Sequence, residues 1–215
     1  MAAGVVASNA QVYSANIVGY ANGTGTAGTA SSSIFTLLAN PLDNSGSNDM
    51  VSIVGSALPN KATVSVWDIP SQSFIIATKQ SGNWNTNFPI PPGRGFFVAI
   101  PKNSPTVTNT FTGNVINANF VGAGGTNSTN IVNTTQLMGS PIPFAGTLND
   151  SGPDTLNLGS ALPNKSTVSI WDVPSQSFII ATKQSGNWNT NLNVGIAQGF
   201  FINSKSNVVW TQTLQ

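Results

Sequence analysis

Six aspartates (Asp43, Asp49, Asp68, Asp150, Asp154 and Asp172), six lysines, one arginine and two tyrosines are all the titratable side chains, since the chain has no histidine, cysteine or glutamate. Nucleophile–base pairs of the Ser-His or Cys-His kind therefore cannot be built, and acid–base work would fall to the aspartates. Two carboxylates can hydrolyse a glycoside when they flank its bond. Asp68 and Asp172, however, hold the same place in two copies of one repeat, so each is expected to end a strand and face the turn at Pro70 or Pro174. No catalytic residue is assigned, and the expectation is a protein that is not an enzyme.

Oxygen ligands for a hard cation are clustered twice, in Asp43-Asn44-Ser45-Gly46-Ser47-Asn48-Asp49 and in Asn149-Asp150-Ser151-Gly152-Pro153-Asp154. Zinc would call for His or Cys, so calcium is the metal these loops would suit, with Asp43, Asp49, Asp150 and Asp154 as candidate ligands. The bidentate Glu of an EF-hand, due twelve positions into the loop, is replaced by Val54. Plain Asx-rich turns account for the same residues with no cofactor. Trp67, Trp84, Trp171 and Trp188, with Asn and Gln nearby, could stack sugars. The competing expectation is that Trp67 and Trp171 sit in cores while Trp84 and Trp188 cover the ends of sandwiches.

These residues belong to a long internal repeat. Residues 56–87 (SALPNKATVSVWDIPSQSFIIATKQSGNWNTN) match 160–191 (SALPNKSTVSIWDVPSQSFIIATKQSGNWNTN) at 29 of 32 positions. Upstream, QVYSANIVGY (11–20) corresponds to NVINANFVGA (114–123), and downstream Gly95-Phe96-Phe97 corresponds to Gly199-Phe200-Phe201. The expected organisation is an N-terminal arm or signal-peptide remnant (1–10), a first domain (11–112) and a second (113–215). Ser8-Asn9-Ala10 after an apolar stretch is the feature that suggests a cleavage site.

Only 6% of residues are charged, against roughly 25% in an ordinary globular protein. Thr, Ser, Asn, Gly, Val, Ile and Phe replace the vocabulary of solvated helices, which predicts an all-β protein. Short apolar or alternating runs between turn residues predict strands near 11–20, 33–39, 50–55, 62–68, 73–79, 83–87, 94–100 and 106–112. The second half repeats them near 114–121, 130–138, 155–159, 166–172, 177–183, 187–191, 197–203 and 207–214, and a short helix near 48–57 is the alternative to the third strand. The Gly-rich segments at 19–25 and 122–125 read as loops. Eight short strands per hundred residues predict two tandem β-sandwich domains, jelly-roll or Ig-like, from an internal duplication. A net charge of +1 gives no footprint for nucleic acid, and no apolar run reaches the 18 residues of a transmembrane helix.

VYSANIVGY (12–20), FTLLANPL (35–42), PPGRGFF (91–97) and VVWTQT (208–213), with two copies of WD and GNW between them, resemble a group of secreted tandem-repeat β proteins of environmental bacteria. Their pattern is VYSxNxVGY, NPL, PGxGFFV and WTxxF. The resemblance implies export or a bacterial cell-surface location and tandem sandwich-like halves, and it brings no activity, cofactor or catalytic residue. Leu214 stands where that pattern has Phe.

Fold maintenance alone would let exposed polar residues drift, yet Lys79, Gln80, Asn83, Trp84, Asn85 and Asn87 recur as Lys183, Gln184, Asn187, Trp188, Asn189 and Asn191. These twelve are the candidate assembly surface, presented once per half to a like neighbour, and a nearly uncharged chain resists such contact weakly. Val5 and Val6, or Val208, Val209 and Trp210, are candidates for adding a strand to a neighbouring sheet. The expected function is an exported structural protein that self-assembles into a filament, tube or surface layer. The alternative is a tandem carbohydrate-binding module, with polysaccharide as partner.

Overall fold

The computed structural model describes residues 18–116 and 125–214. The first half holds β1 (Val18–Gly25), β2 (Ile34–Ala39), β3 (Thr63–Asp68), β4 (Ser73–Gln80), β5 (Asn83–Trp84), β6 (Gly95–Ile100) and β7 (Val107–Asn114). The second holds β8 (Gly125–Ile131), β9 (Thr135–Gly139), β10 (Gly146–Thr147), β11 (Thr167–Asp172), β12 (Ser177–Gln184), β13 (Asn187–Trp188), β14 (Asn193–Val194), β15 (Gly199–Asn203) and β16 (Val208–Leu214). Helix among the described residues is limited to a π-helical turn at Val51–Gly55 and α1 at Leu158–Ala161. The protein is all-β, and its named strands pair antiparallel.

Strand order repeats. One five-stranded sheet runs β2-β6-β3-β4-β5 and the other β9-β15-β11-β12-β13, while β1 with β7 and β8 with β16 form two-stranded ribbons. In the first half, Leu38, Val64, Val66, Ala77, Phe96, Val98 and Ile100 fill a core with Ala21 and Phe111 of the ribbon and Ile53 and Val54 of the π-helical turn. The second core gathers Val168, Ala181, Phe200 and Ile202 with Ile131, Leu156, Leu158 and Trp210. Strand β6 is buried at all six positions because both its faces are covered: Phe96 and Val98 enter the first core, while Phe97 joins a third cluster with Leu37 and Leu137. No helix among the described residues is long and apolar enough to cross a membrane.

Several expectations shift. The run at 50–55 takes the short helix expected over 48–57 rather than the strand, as a π-helical turn, and the run read as a strand near 155–159 leads into α1, because a short apolar run has the same pattern in either state. The Gly-rich segment 19–25, read as a loop, lies in β1 and pairs with β7. Its glycines answer to packing: a Cβ on Gly23 would stand 2.7 Å from the Phe111 ring, so the strand carries little apolar signal of its own. The strand placed near 130–138 is two strands, β8 ending at Ile131 and β9 starting at Thr135. Strand 11–20 falls largely outside the described residues, as does 114–121 beyond residue 116.

Candidate functional site

The repeated segment supplies two antiparallel hairpins, β3–β4 and β11–β12, with Trp67 opposite Phe74 and Trp171 opposite Phe178. Side chains alternate across a strand. Val64, Val66 and Ala77 therefore face the first core, while Ser65, Trp67, Phe74 and Ile76 face the second half. Six rings meet there edge to face. Trp67 lies 5.5 Å from Phe201, and Trp171 lies 5.3 Å from Phe97. Phe74 to Phe201 and Phe178 to Phe97 are both 6.2 Å. The contacts come in matched pairs, so the halves meet about an approximate two-fold axis. Trp67 and Trp171 thus belong to the junction rather than to the separate cores expected for them.

The same junction closes two sheet edges. Trp171 Nε1 and Gln176 Nε2 donate to the Phe35 carbonyl (2.9 and 3.0 Å), and Phe35 N donates to Gln176 Oε1 (2.8 Å). Across the axis, Trp67 Nε1 and Gln72 Nε2 donate to the Thr135 carbonyl (3.1 and 3.2 Å). Backbone bonds Ala39 N to Ala197 O (2.8 Å) and Gly139 N to Gly93 O (3.0 Å) complete the pair. Gly95 and Gly199 permit this approach: a Cβ on either would stand within 2.7 Å of a backbone oxygen of the other half. Arg94, half-buried, donates from Nη2 to the Trp67 carbonyl (2.7 Å), and burial lowers its pKa from the ordinary value.

A cleft of about 680 Å³ opens beside the rings, within the range of small-molecule sites. Trp67, Phe74, Ile76, Trp171, Phe178 and Ile180 line it, with Ser65, Thr135, Ser169 and Asn203 as polar members. The apolar runs Phe74-Ile75-Ile76 and Phe178-Ile179-Ile180 are between 38% and 55% exposed. Large apolar side chains so exposed, in two identical contiguous runs, mark interaction surfaces in soluble proteins.

Among the described residues, strands β4 and β12 are also open along most of one edge. β4 pairs with β3 from Ser73 to Thr78 but with β5 only at Lys79 and Gln80, and β12 repeats this with β11 and β13. Asn85 N donates to Thr78 O and Thr78 N donates to Asn85 Oδ1 (2.8 Å), so the backbone of Thr78 points away from β3. Backbone direction alternates along a strand, and Phe74 and Ile76 point outward with it. On that outward side no described strand lies against Phe74 and Ile76, nor against Phe178 and Ile180.

The twelve candidate assembly residues are engaged within their own halves. Lys79 Nζ donates to the Gly55 and Leu58 carbonyls (2.8 and 2.7 Å), and Lys183 Nζ to those of Gly159 and Leu162 (both 2.8 Å). Gln80 pairs with Asn83, and Gln184 with Asn187. Asn189 Oδ1 accepts from Thr182 N as Asn85 does from Thr78. Asn87 Oδ1 accepts from Val51 N (3.2 Å) and Asn191 Oδ1 from Asn149 N (3.1 Å). Trp84 and Trp188 pack against the first and second cores, Trp84 donating to Gly55 O (3.3 Å). Val5 and Val6 lie outside the described residues. Val208, Val209 and Trp210 sit in β16, paired with β8; Val209 is exposed, whereas Trp210 is buried and donates to Leu156 O (2.8 Å).

Three of the four candidate metal ligands, Asp43, Asp49 and Asp150, accept hydrogen bonds from donors in their own turns. Asp49 accepts from Ser47, from Ser52 N and Oγ (both 2.9 Å) and from Asn87 Nδ2 (3.0 Å). Those bonds, the Ser47 hydroxyl foremost, hold its carboxyl far below the usual range. Asp43 Oδ1 accepts from Asn48 Nδ2 (2.6 Å), and Asp150 from Thr147 N and Oγ1 (2.6 and 2.7 Å). Asp154 N donates to Thr213 O (2.7 Å). Among the described residues, no three carboxylates cluster where one ion could be held. Asp68 accepts from Ser71 Oγ and N, which lower its pKa, and Asp172 accepts from Ser175 N, each in the turn predicted for it.

The residues that build the cleft and edges, Phe74 to Ile76 and Phe178 to Ile180, had one sequence signal. Three apolar residues run together between Ser and Ala-Thr-Lys where a strand with one solvated face would alternate. Comparison with protein-family models, with curated proteins and with solved structures finds no match.

Proposed function

We propose that the protein is a non-enzymatic structural protein, exported to a bacterial surface or its surroundings, whose copies assemble through repeated β interfaces into a filament, tube or layer. The observation that carries this reading is the pair of identical, exposed Phe-Ile-Ile runs on a chain of net charge +1. Burying them removes apolar surface from water, and little net charge opposes the approach. Two such surfaces per chain permit growth beyond a dimer. Export rests on the resemblance to secreted tandem-repeat proteins. The repeated strand order and the two separate cores support a pair of tandem β-sandwich domains, jelly-roll or Ig-like, derived by duplication.

Light scattering over a concentration series tests the reading. Mean mass rising steadily above the 22.2 kDa of one chain is expected, with regular particles by electron microscopy. A constant monomer mass throughout would overturn it.

The second reading, binding of a carbohydrate, draws on one feature, the two tryptophans and the Ser, Thr and Asn side chains around the cleft. Saturable glycan binding by the monomer, lost on Trp67→Ala and Trp171→Ala, would favour it.

A further inference from the structure

Among the described residues, the outer strands β2 and β9 are protected, whereas β4 and β12, covered by β5 and β13 at only two positions each, are open along the rest of that edge. On β2 and β9, the carbonyls of Phe35 and Thr135 are capped by Trp and Gln side chains from the opposite half. On β4 and β12, Asn85 and Asn189 cap only Thr78 and Thr182. The stretch from Ser73 to Ala77, and its copy from Ser177 to Ala181, contains no charge, no proline and no glycine. Natural edge strands usually carry one of the devices that deter pairing, such as a lysine, a proline or a bulge. The next residue with a charge is Lys79, whose ammonium is bound to the carbonyls of Gly55 and Leu58.

We propose that these edges pair with one another between copies of this chain, antiparallel, joining sheet to sheet across subunits. The partner is a second copy because the edge complements itself. Its outward backbone groups are those of Phe74 and Ile76, or Phe178 and Ile180 in the other half. An antiparallel ladder satisfies them when Phe74 of one copy lies opposite Ile180 of the next, Ile75 opposite Ile179 and Ile76 opposite Phe178. That register forms four backbone hydrogen bonds and sets an aromatic ring against a β-branched side chain on the cleft face, a favourable cross-strand pair. β4 and β12 have identical sequences from Ser73–Gln80 and Ser177–Gln184, so either edge accepts either edge. With two edges on each chain, pairing continues from subunit to subunit. The inference rests on the assembly reading and specifies its interface.

Proline at Ile76 or Ile180 removes an outward amide without touching the ladder to β3 or β11, the position an edge strand tolerates. The test compares wild type, Ile180→Pro, and Ile76→Pro with Ile180→Pro, by sedimentation velocity at matched concentrations. Circular dichroism checks the fold of each. A lysine pair, Ile76→Lys with Ile180→Lys, at positions 54% and 55% exposed, serves if proline disturbs the fold. Wild type is expected to elongate, the single variant to stop at dimers, and the double variant to remain monomeric at concentrations at least about tenfold higher, the effect of losing roughly 1.4 kcal/mol. Wild type and double variant assembling alike would overturn the edge pairing while leaving assembly in place. A wild type that never assembles would overturn both.

Discussion

Alanine at Gly199 should weaken the junction between the halves far more than its one added methyl group suggests. The new Cβ would stand 2.5 Å from the Leu38 carbonyl oxygen and 3.0 Å from the Leu37 side chain. Ordinary contact begins near 3.4 Å, so β15 and β2 must part by about 0.9 Å. That displacement breaks the 2.8 Å bond from Ala39 N to Ala197 O. Overpacking a filled site costs about 1–3 kcal/mol and a lost backbone bond about 1 kcal/mol, giving about 3 kcal/mol together. For a chain of this length that lowers Tm by about 6–12 °C. Urea unfolding followed by tryptophan emission reads it directly, since Trp67 and Trp171 sit in the junction. Gly82→Ala is the control: its φ of +85° strains alanine, but nothing lies within 4 Å of the added carbon, so a cost of about 1–2 kcal/mol is expected. Gly199→Ala proving no worse than Gly82→Ala would refute the docking described for β2 and β15.

Lys79→Met should destabilise the first half by about 2 kcal/mol, because the Gly55 and Leu58 carbonyls lose their donor; thermal unfolding checks it, and Lys183→Met should cost a similar amount. Trp210→Ala removes a fully buried ring and its bond to Leu156 O, at a cost of about 3–5 kcal/mol in a denaturant titration. Asp49 has a folded pKa depressed below its ordinary 3.8, so its stabilisation is fully present above that value and is lost as pH falls through the folded one. Wild type should therefore exceed Asp49→Asn in stability at neutral pH, and the gap should narrow steadily as acid is added below about pH 4; an unchanged gap in parallel melts would count against the hydrogen-bonded turn.

The all-β character and the repeat were legible because composition and the 29 matched positions of 32 do not depend on tertiary context. Strands β3, β4 and β6 fall close to where alternation and turn residues place them. β1 was harder, since Gly23 and Gly25 are there to clear Phe111 and Ile100 and no apolar period survives. Positions 51–55 read as a strand or as part of a short helix over 48–57, because so short a run has no period to separate the two. The polar matches from Lys79 to Asn87 were visible, but not that their partners lie in the loop at 49–58 of the same half. The cleft depends on bringing Phe74 and Phe201 together across 127 positions, and only the unbroken Phe-Ile-Ile runs hinted at a second apolar face.

Amide hydrogen exchange on dilute and concentrated protein tests the self-assembly most directly, residue by residue. Assembly through the open edges predicts that the outward amides of Phe74, Ile76, Phe178 and Ile180 exchange freely in the dilute sample and become protected in the concentrated one. The inward amides of Ile75 and Ile179, already in their ladders, should be protected in both. Outward amides that exchange equally fast at both concentrations, in a sample whose mass has grown, would contradict the account.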